Sequence, residues 1–233
     1  MASSATTDLS VMRISRLCKI YFGRERHLIE KTVRIAWMSH NPFHDTGFLL
    51  GAPGLEHLPA DTGREVAFAG RSNVGKSSII NALVGQRHLV RTSRTPGRTR
   101  ELNFFEVRPG LRLVDLPGYG FAKVSLAQRH AWGELMAGYL AQRRSLVGVL
   151  AVMDIRHPFK DSDQDLLNLL QEGGFRSHVV LNKADKLTRG EGNNVLRQAR
   201  REPGAAGAQI QLFSSVSGVG VEDLRRVVRG WLE

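Results

Sequence analysis

Short apolar runs alternate with longer amphipathic stretches from about residue 65 to the end of the chain. Apolar runs of this length, bounded by turn residues, are typical of strands buried on both faces. They predict strands near residues 65–69, 101–107, 111–115, 147–153, 177–181 and 209–213. Apolar positions at helical spacing between them predict helices near residues 76–84, 125–143, 161–172, 190–201 and 221–232.

The alternation of strands and helices predicts an α/β fold, with a doubly wound and mostly parallel sheet of six strands. One connection breaks the alternation. The pair Pro109-Gly110 lies in the short gap between the second predicted strand and the third, which predicts a hairpin turn. The second strand is therefore expected to run antiparallel to the others, at the edge of the sheet.

The turn between the first strand and the first helix has the spacing G-x-x-x-x-G-K-S, which is typical of a phosphate-binding loop. Its glycines let the backbone approach oxyanions closely, and the amides at the helix start point at phosphates. The loop consists of Gly70, Arg71, Ser72, Asn73, Val74, Gly75, Lys76 and Ser77. Lys76 would add positive charge at the β- and γ-phosphates, and Ser77 would ligate Mg²⁺. A glycine-rich turn with a chance Lys-Ser pair is the alternative, and the strand-to-helix context disfavours it.

A second motif, N-K-x-D, follows the strand near 177–181 and consists of Asn182, Lys183, Ala184 and Asp185. The Asp185 carboxylate can accept hydrogen bonds from the ring N–H and the exocyclic amine of guanine. Adenine offers no such pair of donors, so this motif predicts a guanine nucleotide. A weaker signal after the last strand, which could supply backbone donors to the guanine oxygen, consists of Phe213, Ser214 and Ser215.

Two segments between these motifs supply further phosphate and metal chemistry. Asp115 ends a predicted strand and begins the segment Asp115-Leu116-Pro117-Gly118. Asp115 would hold Mg²⁺ through water, and the Gly118 amide would reach the γ-phosphate. In the preceding loop, Thr99 is a better candidate than Thr95 for closing over Mg²⁺, because it lies nearer the next strand.

The predicted site therefore has three parts. GTP contacts are expected from both motifs, from residues 115–118 and 213–215, and from the loop residues Gly97, Arg98, Thr99, Arg100 and Glu101. The Mg²⁺ ligands are expected to be Ser77 and Thr99. The catalytic roles are expected at Lys76, Thr99 and Gly118.

Longer segments around these motifs resemble the EngB (YihA) family of ribosome-biogenesis GTP-binding proteins, within the TrmE–Era–EngA–EngB–septin-like branch of GTPases. The resemblance runs from about Phe48 to the C-terminus and rests on residues 68–78, 91–99, 115–120 and 153–158. The last of these, Met-Asp-Ile-Arg-His-Pro, has no nucleotide role that its residue types reveal. The resemblance implies a Ras-like P-loop GTPase fold, Mg²⁺-dependent GTP binding, assembly of the large ribosomal subunit, and a need for the protein in cell division and septation.

Tyr119 follows Gly118, where Ras-like proteins carry the Gln that orients the attacking water. Intrinsic hydrolysis is therefore expected to be slow. Two functions remain open, a GTP-hydrolysing assembly factor and a nucleotide-gated binding module that hardly turns over alone, whereas Asp185 disfavours a P-loop kinase or ATPase. The resemblance also suggests a potassium ion held beside the phosphates by Asn73. The alternative for Asn73 is a local side-chain hydrogen bond that caps the turn.

Composition agrees with this interpretation. A chain of 233 residues with 42% apolar content can bury one core, which predicts one domain. The single Cys18 suits a reducing cytoplasm, and the absence of an apolar run of about 18 residues argues against a membrane partner. The net charge of +11, with five arginines and no acid between Arg87 and Arg100, favours RNA contact over a merely solvated face. We expect a monomer that binds GTP or GDP and ribosomal RNA of the large subunit or its precursor.

Residues 1–45 fall outside the resemblance, and we expect the GTPase domain to span residues 46–233. Residues 11–37 alternate basic and apolar side chains and could form a membrane-surface or RNA-binding arm. A misassigned start, with Met38 as the true first residue, or a disordered extension is favoured over that arm. A signal peptide does not fit, because Arg13, Arg16 and Lys19 interrupt the apolar core that it needs.

Overall fold

The computed structural model describes residues 41–90, 101–119, 126–205 and 207–233, and for residues 126–132 it describes the backbone only. Residues Phe43–Glu233 form a compact unit built around one sheet. The strands of the sheet are β1 Gly47–Ala52, β2 Arg64–Gly70, β3 Leu102–Arg108, β4 Leu111–Asp115, β5 Leu146–Asp154, β6 Ser177–Asn182 and β7 Gln209–Leu212. The helices are α1 Lys76–Val84, α2 Leu126–Gln142, α3 Asp161–Glu172, α4 Arg189–Ala199 and α5 Val221–Leu232, and short 3₁₀ helices span Leu55–His57, Ala184–Lys186 and Pro203–Ala205.

The strand order is β1-β3-β4-β2-β5-β6-β7, and β3 runs antiparallel to both of its neighbours. The remaining pairs are parallel. The predicted doubly wound α/β arrangement is therefore confirmed, and so is the hairpin between β3 and β4. The sheet has seven strands, however, so the predicted count of six was wrong, and the antiparallel strand does not lie at the edge.

The strand that the sequence did not predict is β1, which forms the edge beside β3. Its sequence, Gly-Phe-Leu-Leu-Gly-Ala, has neither an alternating pattern nor the buried run of a central strand. Phe48 and Leu49 remain exposed, and only Ala52 is fully buried. Pairing with β3, rather than burial of a continuous apolar run, accounts for this strand, and that pairing is a tertiary effect.

The sheet buries both of its faces. One face packs against α1 and α5, through residues such as Ile79 and Leu83 and through Trp231. The other face packs against α2, α3 and α4, through residues such as Tyr139 and Leu167. Successive residues of the central strands point to opposite faces, so both sets must be apolar, which explains the near-continuous apolar runs in the sequence.

A buried ionic cluster lies at the start of β2, at the opposite end of this strand from the glycine-rich turn. The Glu65 carboxylate is fully buried and accepts hydrogen bonds from Arg143 at 2.6 and 2.9 Å, from Arg112 at 3.0 Å and from the Tyr139 hydroxyl at 3.1 Å. The same arginines donate to carbonyl oxygens of the segment that precedes β2, including that of Ala60. The cluster thus fixes this segment against the sheet.

Strand β2 lies between β4 and β5, at the point where the strand order changes direction. Open α/β sheets bind ligands outside the carboxyl ends of their strands at such a point. The turn after β2 and the segments after β4, β5 and β6 all emerge at this edge. These are the segments that carry the sequence motifs.

Candidate nucleotide-binding site

The turn from β2 into α1 needs its glycines for two separate reasons. Gly75 has φ of 101°, a left-handed conformation, and a Cβ there would come within 2.4 Å of the Asn182 side-chain nitrogen. A Cβ on Gly70 would come within 2.4 Å of the Val152 carbonyl oxygen. Asn73 also has a positive φ, of 61°, which asparagine tolerates better than most residues. The loop is therefore tightly wound against β5 and β6.

Lys76 is the first residue of α1, and its side chain is buried in the hollow of the loop. Its ammonium group donates to the carbonyl oxygen of Gly70 at 3.3 Å. Burial lowers the pKa of Lys76, and the negative charge of Asp115 opposes that shift. A desolvated cation at a helix N-terminus makes the loop strongly attractive to an anion.

Ser77 and Asp115 form a hydroxyl–carboxylate pair beside Lys76. The Ser77 hydroxyl donates to Oδ2 of Asp115 at 3.1 Å. Asp115 is only 2% exposed, and its other oxygen, Oδ1, has no hydrogen-bond partner among the described residues. Burial raises the pKa of Asp115, against the effects of Lys76 and Ser77. An unpartnered buried carboxylate oxygen is costly unless something else satisfies it.

The segment after β4 lies directly against the phosphate-binding loop. The Ser72 amide donates to the carbonyl oxygen of Tyr119 at 2.9 Å, and Arg71 and Tyr119 form a parallel bridge. A Cβ on Gly118 would come within 2.9 Å of Ser72 Cα and 3.3 Å of the Lys76 ammonium nitrogen. Only glycine fits this close approach without a shift, so Gly118 stands beside the buried lysine.

The N-K-x-D motif is joined to the same loop by two hydrogen bonds. The Asn182 side chain donates to the Val74 carbonyl oxygen at 2.8 Å, and the Lys183 ammonium group donates to that of Asn73, also at 2.8 Å. Lys183 has φ of 66° and forms an ion pair of 2.9 Å with Asp154, at the end of β5. Through these two side chains the motif is fixed against the loop.

Asp185 is oriented from the segment after β7. The Ser214 hydroxyl donates to Oδ1 of Asp185 at 2.6 Å, and Lys186 forms an ion pair with Oδ2 at 3.1 Å. The Ser214 hydrogen bond is the largest cause that lowers the pKa of Asp185. The carbonyl oxygen of Phe213 accepts from the Ala184 amide at 3.0 Å, which ties the two segments together. The Ser214 amide already donates to the carbonyl oxygen of Val219. The Ser215 amide is therefore the next candidate for a backbone donor to the guanine oxygen.

The structure thus brings together the predicted residues of 70–77, 115–118, 182–185 and 213–215. Gly97, Arg98, Thr99 and Arg100 lie outside the described residues, as do Thr95 and Gly120. Glu101 is exposed and stands beside β1, where a Cβ on Gly51 would come within 2.5 Å of its carboxylate. Within the described part of the chain no hydrogen bond joins Glu101 to the phosphate-binding loop.

Sequence reasoning missed two acidic residues at the site, Asp154 and Asp163. Asp154 pairs with Lys183, and Asp163 pairs with Arg71 at 3.0 Å. Asp154 belongs to the Met-Asp-Ile-Arg-His-Pro segment, which stood out in the sequence, so a signal existed for it. Asp163 sits in the first turn of α3, where an acid is expected for helix capping alone.

Two features are absent from the described residues. None of their helices is long and apolar enough to cross a bilayer. They also contain no group of three or more His, Cys, Asp or Glu side chains that could hold a metal ion.

Comparison with known proteins agrees with this geometry. Residues 65–183 match the family model described as 50S ribosome-binding GTPase. The chain is 47% identical over 191 residues to a probable GTP-binding protein EngB of Aeromonas hydrophila, covering 81% of this chain and 88% of that one. It is 50% identical over 186 residues to the protein of the same name from Alteromonas mediterranea, covering 79% and 88%.

Solved structures show the same fold at lower sequence identity. A crystal structure of a probable GTP-binding protein engB has a TM-score of 0.57 at 23% identity, covering 72% of this chain and 98% of that one. A point variant of Aquifex aeolicus Era bound to GDP·AlF₄⁻ has a TM-score of 0.60 at 22% identity, covering 74% and 57%. With its site geometry and its similarity to the EngB proteins taken together, the chain belongs to the EngB family of GTP-binding P-loop GTPases.

Proposed function

We propose that this protein is a Mg²⁺-dependent GTP-binding protein with slow intrinsic hydrolysis, which acts in assembly of the large ribosomal subunit and is needed for normal cell division and septation. The observation that carries the nucleotide part is a pair of hydrogen bonds, from the side chains of Asn182 and Lys183 to the carbonyl oxygens of Val74 and Asn73. These hydrogen bonds fix the position of the guanine-reading motif relative to the phosphate-binding loop. One nucleotide can then engage both.

The roles of the individual residues follow from this arrangement. The amides from residue 73 to residue 77 and the Lys76 ammonium group would receive the phosphates, because they lead into a helix N-terminus with a buried cation. The Gly118 amide would meet the γ-phosphate. Asp185, kept ionised by Ser214, would accept from both donors of guanine. The Ser215 amide is the candidate donor to the guanine oxygen.

The residues beside Lys76 fit a magnesium ion. Ser77 offers a hydroxyl, and Asp115 offers a buried oxygen without a partner among the described residues. Magnesium prefers oxygen ligands and keeps several waters, so one hydroxyl, one carboxylate acting through water and the phosphates suit it. Mg²⁺ would offset the charge of the phosphates when bound. Thr99 is proposed as a further ligand and lies outside the described residues.

Slow intrinsic hydrolysis is proposed from the position of Tyr119. Its side chain is only 7% exposed, and its hydroxyl donates to Asp163 at 3.1 Å, on α3. The hydroxyl is thus engaged away from the phosphates and is not available to orient a water molecule. Lys76 and Gly118 would still stabilise charge on the γ-phosphate, so hydrolysis would need a further group from elsewhere.

Asn73 is the proposed ligand for a potassium ion that could supply part of this help. Its side chain is exposed and has no hydrogen-bond partner within the described part of the chain. This observation favours an amide free to bind an ion over a turn-capping hydrogen bond. A monovalent cation there would offset charge that develops between the β- and γ-phosphates.

Ribosomal RNA is the proposed macromolecular partner. The chain carries a net charge of +11, and the matching family model is described as a ribosome-binding GTPase. Era, which shares the fold, was solved in a complex with nucleotides of 16S ribosomal RNA. For this chain we propose large-subunit RNA, with Arg91, Arg94 and Arg98 as phosphate contacts, and these three residues lie outside the described ranges. Binding would then weaken steeply as salt rises.

The remaining proposals concern the chain as a whole. We propose a monomer in the cytoplasm, with the GTPase domain at residues 46–233 and the first 45 residues as an extension or a misassigned start. The single cysteine supports a reducing compartment. The two open functions differ in turnover. An assembly factor hydrolyses GTP faster on its ribosomal particle, whereas a nucleotide-gated binding module does not.

The experiment that separates these functions is GTP turnover with and without 50S precursor particles. Stimulation by the particles supports the assembly factor. Particle binding that depends on GTP, with turnover unchanged, supports the binding module. A parallel measurement of GDP and ADP affinity tests the base assignment, and equal affinities would contradict it.

A further inference from the structure

The segment from the last residue of β5 to the first turn of α3, here called the 154–163 segment, contains residues that mark the EngB resemblance but have no nucleotide role so far. Phe159 within it has φ of 53°. Among the described residues, the other non-glycine residues with positive φ are Asn73 and Lys183. Phenylalanine is unusual in this conformation, and such strain persists only where the surroundings impose it. The segment is therefore held in its shape by specific contacts.

One set of contacts joins the 154–163 segment to the phosphate-binding loop. The Arg71 guanidinium group donates to the His157 carbonyl oxygen at 2.6 Å and to Oδ1 of Asp163 at 3.0 Å. Arg71 lies in the loop itself, directly after β2. A displacement of the loop at Arg71 would therefore break two hydrogen bonds, one of them charge-assisted.

A second contact joins the segment to Tyr119. The Tyr119 hydroxyl donates to the same oxygen, Oδ1 of Asp163, at 3.1 Å, and the Lys160 amide donates to Oδ2 at 3.2 Å. The Asp163 carboxylate is fully buried and has its positive partner in Arg71. One carboxylate thus joins the phosphate-binding loop, the segment after β4 and the start of α3.

These contacts fix Tyr119 at two points. Its side chain is bonded to Asp163, and its carbonyl oxygen accepts from the Ser72 amide at 2.9 Å. Gly118, the preceding residue, is thereby held beside Lys76, where only glycine fits. The Gly118 amide is the group assigned above to the γ-phosphate.

We propose that Asp163 is a positioning residue of the GTPase, and that through the Tyr119 hydroxyl and Arg71 it holds Gly118 ready for the γ-phosphate and so favours GTP over GDP. The proposal rests on the proposed contact between Gly118 and the γ-phosphate. A backbone held in place before the nucleotide binds does not have to be ordered at that moment, and preorganisation of this kind raises affinity. GDP has no γ-phosphate and gains nothing from it.

The direct test is Tyr119→Phe, which removes the hydroxyl and leaves the ring and the Asp163 helix cap in place. Dissociation constants for GDP and for GMPPNP are measured, together with kcat for GTP. We expect GDP affinity to change less than about twofold and GMPPNP affinity to fall about tenfold, because the lost hydrogen bond is to a charged group. kcat should fall as well. Asp163→Asn should also weaken GMPPNP binding more than GDP binding.

Asp161→Asn is the matched control, since it removes a charge from an exposed residue in the same turn of α3. It should leave the GDP-to-GMPPNP ratio unchanged. An unchanged ratio of the GDP and GMPPNP dissociation constants in Tyr119→Phe would overturn the proposal. This holds whether both affinities fall equally or the variant is only less stable, because either result means a structural role only. Failure of the wild type to bind guanine nucleotides would instead contradict the proposed function.

Discussion

The hydroxyl group of Ser214 donates a hydrogen bond of 2.6 Å to Oδ1 of Asp185. The same oxygen of Ser214 accepts from the amides of Val216 and Ser217, at 3.2 and 3.1 Å, so the serine is fixed by its own loop. This hydrogen bond lowers the pKa of Asp185. The carboxylate is therefore ionised and oriented before any base arrives, as a site that reads two donors requires.

Asp185→Asn should change the base preference of the site from guanine to xanthine. An amide cannot accept from both guanine donors, and we expect GDP affinity to fall about 100-fold, the effect of two lost hydrogen bonds to a charged group. Xanthosine diphosphate, which has an acceptor where guanine has its amine, should bind the variant better than GDP. Displacement of a fluorescent nucleotide measures both affinities. Asp165→Asn, at an exposed position of α3, is the control, and unchanged GDP affinity in Asp185→Asn would refute the assignment.

Ser77→Ala should remove most of the magnesium dependence of nucleotide binding. The hydroxyl is paired with Asp115 at 3.1 Å, beside a carboxylate oxygen without a described partner. We expect the gain in GDP affinity that Mg²⁺ gives over EDTA to shrink roughly tenfold. The free energy of unfolding without nucleotide should fall by about 1–3 kcal/mol, since the buried Asp115 carboxylate loses a hydrogen bond.

The control for this experiment is Ser78→Ala, which removes the neighbouring hydroxyl of α1 and should keep the full magnesium effect. Wild-type GDP affinity that is the same in Mg²⁺ and in EDTA would show that the pair does not serve a metal.

The parts of the site that the sequence predicted are those governed by local backbone chemistry. Gly75 needs a left-handed φ and Asn182 ends a buried strand, so spacing along the chain was enough to find both. The links from Arg71 and Tyr119 to Asp163 could not be predicted, because they join residues 92 and 44 positions apart. Strand β1 was missed for a similar reason, since its pairing with β3 depends on the tertiary fold.

Glu65→Gln should destabilise the protein strongly without altering the nucleotide site. Removal of this fully buried charge leaves Arg112 without its anionic partner and leaves Arg143 with Asp61, at 3.7 Å, as its remaining anionic partner among the described residues. Breaking a buried pair in this way costs about 3–5 kcal/mol of unfolding free energy, which urea denaturation measures. Because the cluster lies at the other end of β2 from the loop, GDP affinity of the folded variant should be unchanged.

Glu172→Gln, at an exposed end of α3, controls for the loss of one acidic residue. If Glu65→Gln destabilised the protein no more than this control does, the carbonyl oxygens around the arginines would be enough to satisfy their hydrogen bonds.

The stability of the protein should fall as the pH is lowered below about 6.5, in part because of His178. Its ring is 3% exposed, with one nitrogen 3.0 Å from Gln211 Oε1 and the other, Nδ1, without a partner among the described residues. Burial lowers the pKa of His178, so the unfolded chain takes up a proton at a higher pH than the folded chain does. Acidification therefore favours unfolding.

Thermal unfolding from pH 7 to pH 5 measures this effect. His178→Gln, which keeps an amide donor for Gln211, should flatten the pH dependence, whereas His88→Gln at an exposed position should not. Identical pH dependence in the wild type and His178→Gln would show that other groups cause the acid sensitivity.

Potassium should accelerate GTP hydrolysis more than sodium if Asn73 is an ion ligand. Its exposed amide has no partner within the described residues, while its carbonyl oxygen is held by Lys183 at 2.8 Å. The side chain can therefore move to an ion without disturbing the loop.

Because Asn73 has φ of 61°, Asn73→Gly is a cleaner variant than Asn73→Ala: glycine keeps this conformation at no steric cost. We expect Asn73→Gly to bind GDP almost as the wild type does and to hydrolyse GTP at the same rate in matched KCl and NaCl. Asn73→Asp, which retains an oxygen ligand, should keep the preference for potassium. Equal wild-type rates in the two salts would reject the ion, and the group that replaces the missing glutamine would then have to come from the ribosomal particle.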